Sequence, residues 1–434
     1  MKKITNRALS VLLIAALVIF GMGAYVLNYI DHGKEWALYF SRSNSDSTGQ
    51  LVDRNGIVLA YFSGEENRFS PDAGIREANY HVTGDYWDRT GAGMLPRYWS
   101  KMQGFSLLTG TTKSVDSTLM LSIDARLNSK IYESLGPERD GAMLLCNYKT
   151  GEILGLVSSP STDPLDSEAI LRDGTYINRC LSASFIPGSI FKIVTAAAAI
   201  ENIPDIYERS FYCEGEYKIA GVPITCIAEH YTQNFEQALS NSCNVAFAQI
   251  AVAVGQDTMI KYVQDYGLLS SHSIDGINTA AGSYPLDFVG DPELAWSGIG
   301  QSTDMVNPYA MLRLVCAIAN GGTVVEPSMV ADTQHSSTFL VSPATADALT
   351  EMMRFTANEH YNASELFPGM NICAKTGTAE LGDGEAHSWF VGFLQDEEHP
   401  YAFVTLVERG GFGITAAGGV TSEVLQWARA NIEN

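Results

Sequence analysis

In ASFIPGSIFKIVTAAAAIE, Pro187 and Gly188 break the chain and Ser189 stands at or near the start of a long apolar helix. Lys192 follows three positions later, which places its amine on the same helix face, within reach of the hydroxyl. The positive potential of a helix N-terminus favours both a neutral amine and a developing alkoxide. The pair therefore describes an activated nucleophile with its own base, the Ser-Lys variant of nucleophilic catalysis. Ser-x-x-Lys alone is weak evidence, because a chain of this composition yields it by chance. Its setting adds weight: a lysine in a first turn otherwise made of Phe, Ile and Val is costly if it merely points into a core.

Two further stretches offer complementary groups. In SNSCNVAFAQI, Ser242 and Asn244 precede another apolar helix, and in an extended turn they project to one side. Serine can relay a proton and asparagine can hold a substrate amide, although both are also ordinary helix-start residues. In AKTGTAE, an edge strand would turn Lys375 to solvent, alternate Thr376 and Thr378 beside it, and let a ligand approach the backbone at Gly377. A cation, two hydroxyls and unpaired N–H groups suit a carboxylate and a peptide-like acyl group laid along the strand. The second Lys-Thr-Gly, at Lys149, lies between two strand patterns and is explained by a hairpin turn.

The elements that must position these residues change in texture along the chain. Residues 31–115 read as a small, mostly β module, with strand-like pieces in QLVDRNGIVLAYF and NYHVTG. LMLSIDARLNSKIYESLG reads as a strand leading into an amphipathic helix. Two strands follow, AMLLCNY and EILGLVSS, then long apolar helices over FKIVTAAAAIE, NVAFAQIAVAV and PYAMLRLVCAIANGG. Strands SWFVGFLQ and YAFVTLVERG and a closing helix around SEVLQWARANI complete the chain. The fold class is α+β, with one antiparallel sheet completed by both ends of the domain and covered by helices. The expected division is a cytoplasmic tip and anchor over 1–30, the N-terminal module over 31–115, and the catalytic domain over 116–434.

A formal charge of −22 over 434 residues excludes a nucleic-acid surface, which needs concentrated Lys and Arg. Between Arg7 and Asp31 lie 23 uncharged positions, enough for a helix to cross the hydrocarbon layer. Lys2, Lys3 and Arg7 precede them, so the positive-inside rule places the N-terminus in the cytoplasm and the remainder outside. A retained anchor is the reading, with a cleaved signal peptide as its alternative. Of the seven cysteines, Cys146, Cys180, Cys243, Cys316 and Cys373 sit in apolar runs as small core residues. Cys213 and Cys226 flank a polar hairpin and are candidates for a local disulfide; a metal pair is disfavoured for want of other ligands nearby.

Ser189-Ile190-Phe191-Lys192, Ser242-Cys243-Asn244 and Lys375-Thr376-Gly377-Thr378 resemble, in order and approximate spacing, the three motifs of penicillin-binding proteins and serine β-lactamases. INRCLSASFIPGSIFK, SGIGQSTDMVNPYAMLRLVCAIANGG and HSWFVGF extend the resemblance over essentially the whole part after the anchor. DRNGIVLA resembles the opening of the N-terminal module of class B penicillin-binding proteins, the monofunctional transpeptidases. Thr48 stands where that pattern has arginine and Leu95 where glutamate is common; both bear on partner contacts, not on chemistry.

The resemblance implies a β-lactamase-like D,D-transpeptidase that cross-links peptidoglycan stem peptides outside the cytoplasmic membrane and is acylated by β-lactams. It implies Ser189 as nucleophile on D-Ala-D-Ala, Lys192 as its base and Ser242 as proton relay. Asn244 would hold the donor amide, and Lys375, Thr376 and Thr378 the terminal carboxylate. The N–H groups of Ser189 and Thr378 would form the oxyanion hole. No metal or organic cofactor is implied, and a polytopic glycan polymerase is the expected partner. D,D-carboxypeptidase, β-lactamase, and a non-enzymatic penicillin sensor or wall-assembly scaffold are the competing readings.

Overall fold

Near-continuous apolar runs such as AMLLCNY and YAFVTLV suit strands buried on both faces. In the computed structural model they form the core of the region from Gly141 onward. Residues 2–41, 49–62, 69–102, 104–106, 110–112, 117–285, 287 and 290–433 are described, so Thr48 lies outside the described residues. Strands β1 (Gly141–Asn147), β2 (Ile153–Ser159), β5 (Ile372–Glu380), β6 (Ala386–Leu394) and β7 (Tyr401–Val407) make one sheet in the order β5-β6-β7-β1-β2. Every neighbouring pair is antiparallel. A separate hairpin, β3 (Phe211–Ile219) and β4 (Val222–Gln233), lies in the intervening segment.

Alternate residues of the sheet enter two different cores. Ala142, Leu144, Trp389 and Val404 join one, with helices α3 (Lys192–Asn202) and α5 (Pro308–Ala319). Met143, Leu145, Phe390 and Phe403 join the other, beneath helices α2 (Ala125–Leu135) and α6 (Gly419–Asn431). Each fully buried Leu or Phe contributes about 1.5–3 kcal/mol, so a strand with both faces covered is strongly held. Helix starts follow local chemistry: Asp124 accepts from Arg126 and Leu127 N–H ahead of α2, and Asn307 from Tyr309 and Ala310 N–H ahead of α5. Helix α5 ends at Ala319, and Gly321 and Gly322, both at positive φ, turn the chain just beyond it. Lys149 sits exposed in the β1–β2 turn, its amine 3.0 Å from Asn320 Oδ1, as a hairpin reading requires.

Helix α1 runs over Lys2–Ser41 and contains the apolar stretch Thr5–Tyr29, long enough to cross a membrane. Beyond it, Gln50–Val52 and Val58–Tyr61 pair as expected around the Asn55-Gly56 turn. The rest of this region carries more helix than its sequence suggests. Ala73–Ala78, Tyr80–Thr83 and Met94–Met102 are helical. NYHVTG reads as a strand by composition, yet Tyr80, His81, Val82 and Thr83 are all buried. A half-exposed strand would bury only alternate positions, so tertiary burial overrides β propensity here. Leu51, Phe62, Leu95 and Trp99 share one apolar cluster with α3 and α5, which gives Leu95 a packing role.

Candidate functional site

The Ser189 loop is built from backbone contacts. Gly188 N–H donates to Gly300 O at 2.8 Å, Phe185 N–H to Val306 O at 3.0 Å, and Trp389 Nε1–H to Ile186 O at 2.9 Å. Gly188 has φ +55, and a Cβ there would stand 2.7 Å from Thr378 O. The loop backbone is thereby pressed against β5, beside Thr378. Gly377 serves the same contact, since an added Cβ would lie 2.8 Å from Pro187 O. The sequence reading gives Gly377 to a ligand; the structure sets it against the chain's own Ser189 loop.

Ser189 lies in a 3-10 turn, Gly188–Phe191, and α3 begins at Lys192. The pair thus straddles the helix start, with Lys192 Nζ 3.0 Å from Ser189 Oγ. The amine also lies 2.6 Å from Ser242 O, 2.7 Å from Asn244 Oδ1 and 3.2 Å from Ser242 Oγ. Lys192 is fully buried, and burial pushes its pKa down to about 8. A neutral amine has two N–H donors and one lone pair. Donating to Ser242 O and Asn244 Oδ1, neither of which can donate back, leaves the lone pair for the Ser189 hydroxyl. Asn244 Nδ2 donates to Thr225 O at 2.9 Å, which fixes the amide's orientation.

Ser242 departs from the extended turn expected of it. Its φ is +53, a left-handed conformation that costs a non-glycine residue about 1–3 kcal/mol. Helix α4 (Asn244–Val254) is capped by Cys243, whose Sγ accepts from Ala246 N–H. Neither Ser242 nor Asn244 is therefore spent as a cap, and both side chains reach lysines.

Lys375 requires a correction. β5 is an edge strand, but Lys375 is fully buried and does not face solvent. Its Nζ donates to Ser242 Oγ at 3.0 Å and Thr376 O at 3.0 Å. Burial, and then the charge of Lys192, push its pKa well below the ordinary lysine value. Burial and mutual repulsion together disfavour holding both amines as cations.

Ser189, Ser242, Asn244, Thr376 and Thr378 line one cavity of about 170 Å³, with Thr225, Gln301 and Phe412 among its other walls. Lys192 and Lys375 stand behind this surface. Tyr361, which sequence reasoning missed, accepts from Thr376 N–H at 2.9 Å and shares a hydrogen bond with Thr376 Oγ1 at 2.9 Å. No local pattern marks it, because its role comes from packing against a strand 15 positions away. A larger cleft of about 410 Å³ around His272, Arg313 and Glu326 lies apart from the three motifs.

The cysteine assignments also change. Cys213 and Cys226 are both free. Cys213 pairs in register with Tyr231, and shifts next to Cys213 and Glu214 move Cys226 out of opposition. Cys226 and His230 on β4 instead approach Cys213 and Cys243, so metal-type ligands do cluster near the hairpin. His230, four residues after Cys226 in the chain, was the overlooked sequence signal.

The family described as "Penicillin binding protein transpeptidase domain" matches residues 141–426. "Peptidoglycan D,D-transpeptidase PbpA" of Mycobacterium tuberculosis is 29% identical over 366 residues, 72% of each chain. "Stage V sporulation protein D" of Bacillus subtilis is 28% identical over 309 residues, 64% of this chain and 47% of that protein. Among solved structures, the penicillin G acyl-enzyme complex of M. tuberculosis penicillin-binding protein A superposes with TM-score 0.72 at 24% identity, covering 89% of this chain and 100% of that one. Pseudomonas aeruginosa PBP2 in complex with WCK 5153 superposes with TM-score 0.74 at 23% identity, covering 88% and 96%. The chain belongs to the penicillin-binding protein transpeptidase family.

Proposed function

We propose that this chain is a class B peptidoglycan D,D-transpeptidase, which cross-links stem peptides through an acyl-enzyme on Ser189 and is inhibited by β-lactams. The observation that carries the reading is the fully buried Lys192 amine, 3.0 Å from the Ser189 hydroxyl and clamped by Ser242 and Asn244. The Ser189 oxygen attacks the carbonyl of D-Ala-D-Ala while its proton passes to Lys192. The N–H groups of Ser189 and Thr378, on backbones held together at Gly188, receive the oxyanion. Ser242, within 3.2 Å of both amines, passes a proton to the leaving D-alanine nitrogen. An acceptor amine then attacks the ester, returning a free Ser189 and a new amide.

Asn244 keeps one amide hydrogen for the donor peptide. Thr376 and Thr378 bind the terminal carboxylate, whose charge favours the cationic form of Lys375 and, through the repulsion between the amines, the neutral form of Lys192. Helix α1 anchors the chain in the cytoplasmic membrane, with the catalytic region outside. A polytopic glycan polymerase beside it in the membrane would supply the strands to be joined.

The reading is tested with the full chain in detergent, a stem peptide ending in D-Ala-D-Ala and an amine acceptor. The acceptor-linked amide should exceed the hydrolysed peptide; hydrolysis alone would instead assign a carboxypeptidase. Acylation should also report the state of Lys192. Only the neutral amine accepts a proton, so the penicillin acylation rate should rise roughly tenfold per pH unit below the pKa and level off above it. With that pKa at about 8, the plateau begins there; for an unperturbed lysine it would begin only near pH ~10.4. Stopped-flow acylation against pH separates the two.

A further inference from the structure

Four side chains unused by this chemistry converge beside the Ser242–Asn244 turn. Cys213 on β3, Cys226 and His230 on β4, and Cys243 ahead of α4 each offer a ligand atom, all within 4.8 Å of one another. Cys226 Sγ lies 4.0 Å from Cys243 Sγ and 3.6 Å from His230 Nδ1. A tetrahedral zinc with sulfur at about 2.3 Å and imidazole nitrogen at about 2.0–2.1 Å sets S–S and S–N edges of about 3.8 and 3.6 Å. The observed separations are close to those edges.

The surroundings also suit thiolates. Asn244 N–H donates to Cys226 Sγ at 3.3 Å, and Ala246 N–H to Cys243 Sγ at 3.4 Å, at the positive end of α4. The ligands are separated in the chain by 12, 3 and 12 residues, so two elements and a turn meet only in the folded state. A disulfide would use two of the three thiols and leave the third beside an unused imidazole. A single cation uses all four groups.

We propose that Cys213, Cys226, His230 and Cys243 form a structural zinc site that ties the β3–β4 hairpin to the Ser242–Asn244 turn. Three thiolates and an imidazole select zinc over the hard cations magnesium and calcium, and four protein ligands close the coordination shell. The site is structural because no position is open to substrate. Its effect on chemistry is positional and rests on the transpeptidase reading. Thr225, which precedes Cys226, accepts from Asn244 Nδ2, so the metal-held hairpin fixes the amide that faces Lys192. It also braces Ser242 in its left-handed conformation. The four ligands are positioning residues.

The test measures zinc by mass spectrometry in the full chain, purified in detergent with a non-chelating reductant. About one zinc per chain is expected. Chelator-treated protein given cobalt(II) should show thiolate charge-transfer bands and the visible bands of tetrahedral cobalt. Cys213→Ser and His230→Ala should lose the metal, whereas His230→Cys, which keeps a soft ligand, should retain it. Penicillin acylation should fall about 10–100-fold in His230→Ala and recover in His230→Cys. Wild-type protein that takes up no zinc from added Zn²⁺ overturns the site, as does a mapped Cys226–Cys243 or Cys213–Cys226 disulfide in metal-free protein from native membranes. Zinc lost with acylation unchanged overturns the positioning role. Wild-type protein that binds zinc but is never acylated leaves the site standing and sinks the transpeptidase reading, so the two failures are distinguishable.

Discussion

Ser189→Ala should abolish the covalent adduct with a fluorescent penicillin. The hydroxyl supplies the atom that would bond to the opened lactam, and it is the one set 3.0 Å from the Lys192 amine in a cavity that Thr378 also lines. Ser242 cannot substitute: its Oγ is held between two amines, 3.2 and 3.0 Å away. Removing a nucleophile costs on the order of 10⁶ in turnover where such losses have been resolved, so the adduct should fall below detection on a gel and by intact mass. Folding should survive, because the substitution removes a half-buried hydroxyl whose side-chain hydrogen bond is to Lys192. An alanine variant with unchanged melting temperature that still acquires the label at stoichiometric yield would refute the assignment.

Lys192→Met should slow penicillin acylation by about 10²–10⁴-fold, the usual contribution of a positioned general base. Methionine approximates the lysine stem in length and fills its place among Phe247 and the other apolar residues of the site. Two effects on stability oppose each other. The substitution relieves the burial of an ionisable amine, but it leaves Ser242 O and Asn244 Oδ1 without a donor, at about 1–3 kcal/mol for an unsatisfied buried group. The melting temperature should therefore move little while the rate collapses. A rate that stays within a factor of two, measured by stopped flow at pH 8 and above, would assign the proton transfer to another group.

Much of this site could be read from the chain before any coordinates. Ser189 with Lys192, Ser242 with Asn244, and the Lys375–Thr378 run carry their chemistry in residue type and local spacing, and they meet around Ser242 Oγ. The sheet was legible because its strands are short uninterrupted apolar runs, and helix α4 because its apolar stretch ends at Gly255. What escaped depends on distance in sequence. Tyr361 and Thr225 act through contacts that only tertiary packing creates. The burial of Lys375 was hidden because an edge strand is open along its hydrogen-bonding edge, yet its side chains can still be covered from above by other parts of the molecule. The cysteines were misread for a related reason: two register irregularities in β3–β4 redirect thiols that a regular hairpin would have paired differently.

The order of strands across the sheet has a temporal meaning. β7 joins β6 to β1, although Tyr401 follows Gly141 by most of the domain. During synthesis the first two strands and the helices that follow them must wait as an open half-structure, their apolar faces uncovered, until β7 emerges. A ribosome stalled just before Tyr401 would release a chain containing every motif but lacking the piece that brings its two ends together. The framework around the site thus stays open until β7 has been made, long after the residues it surrounds.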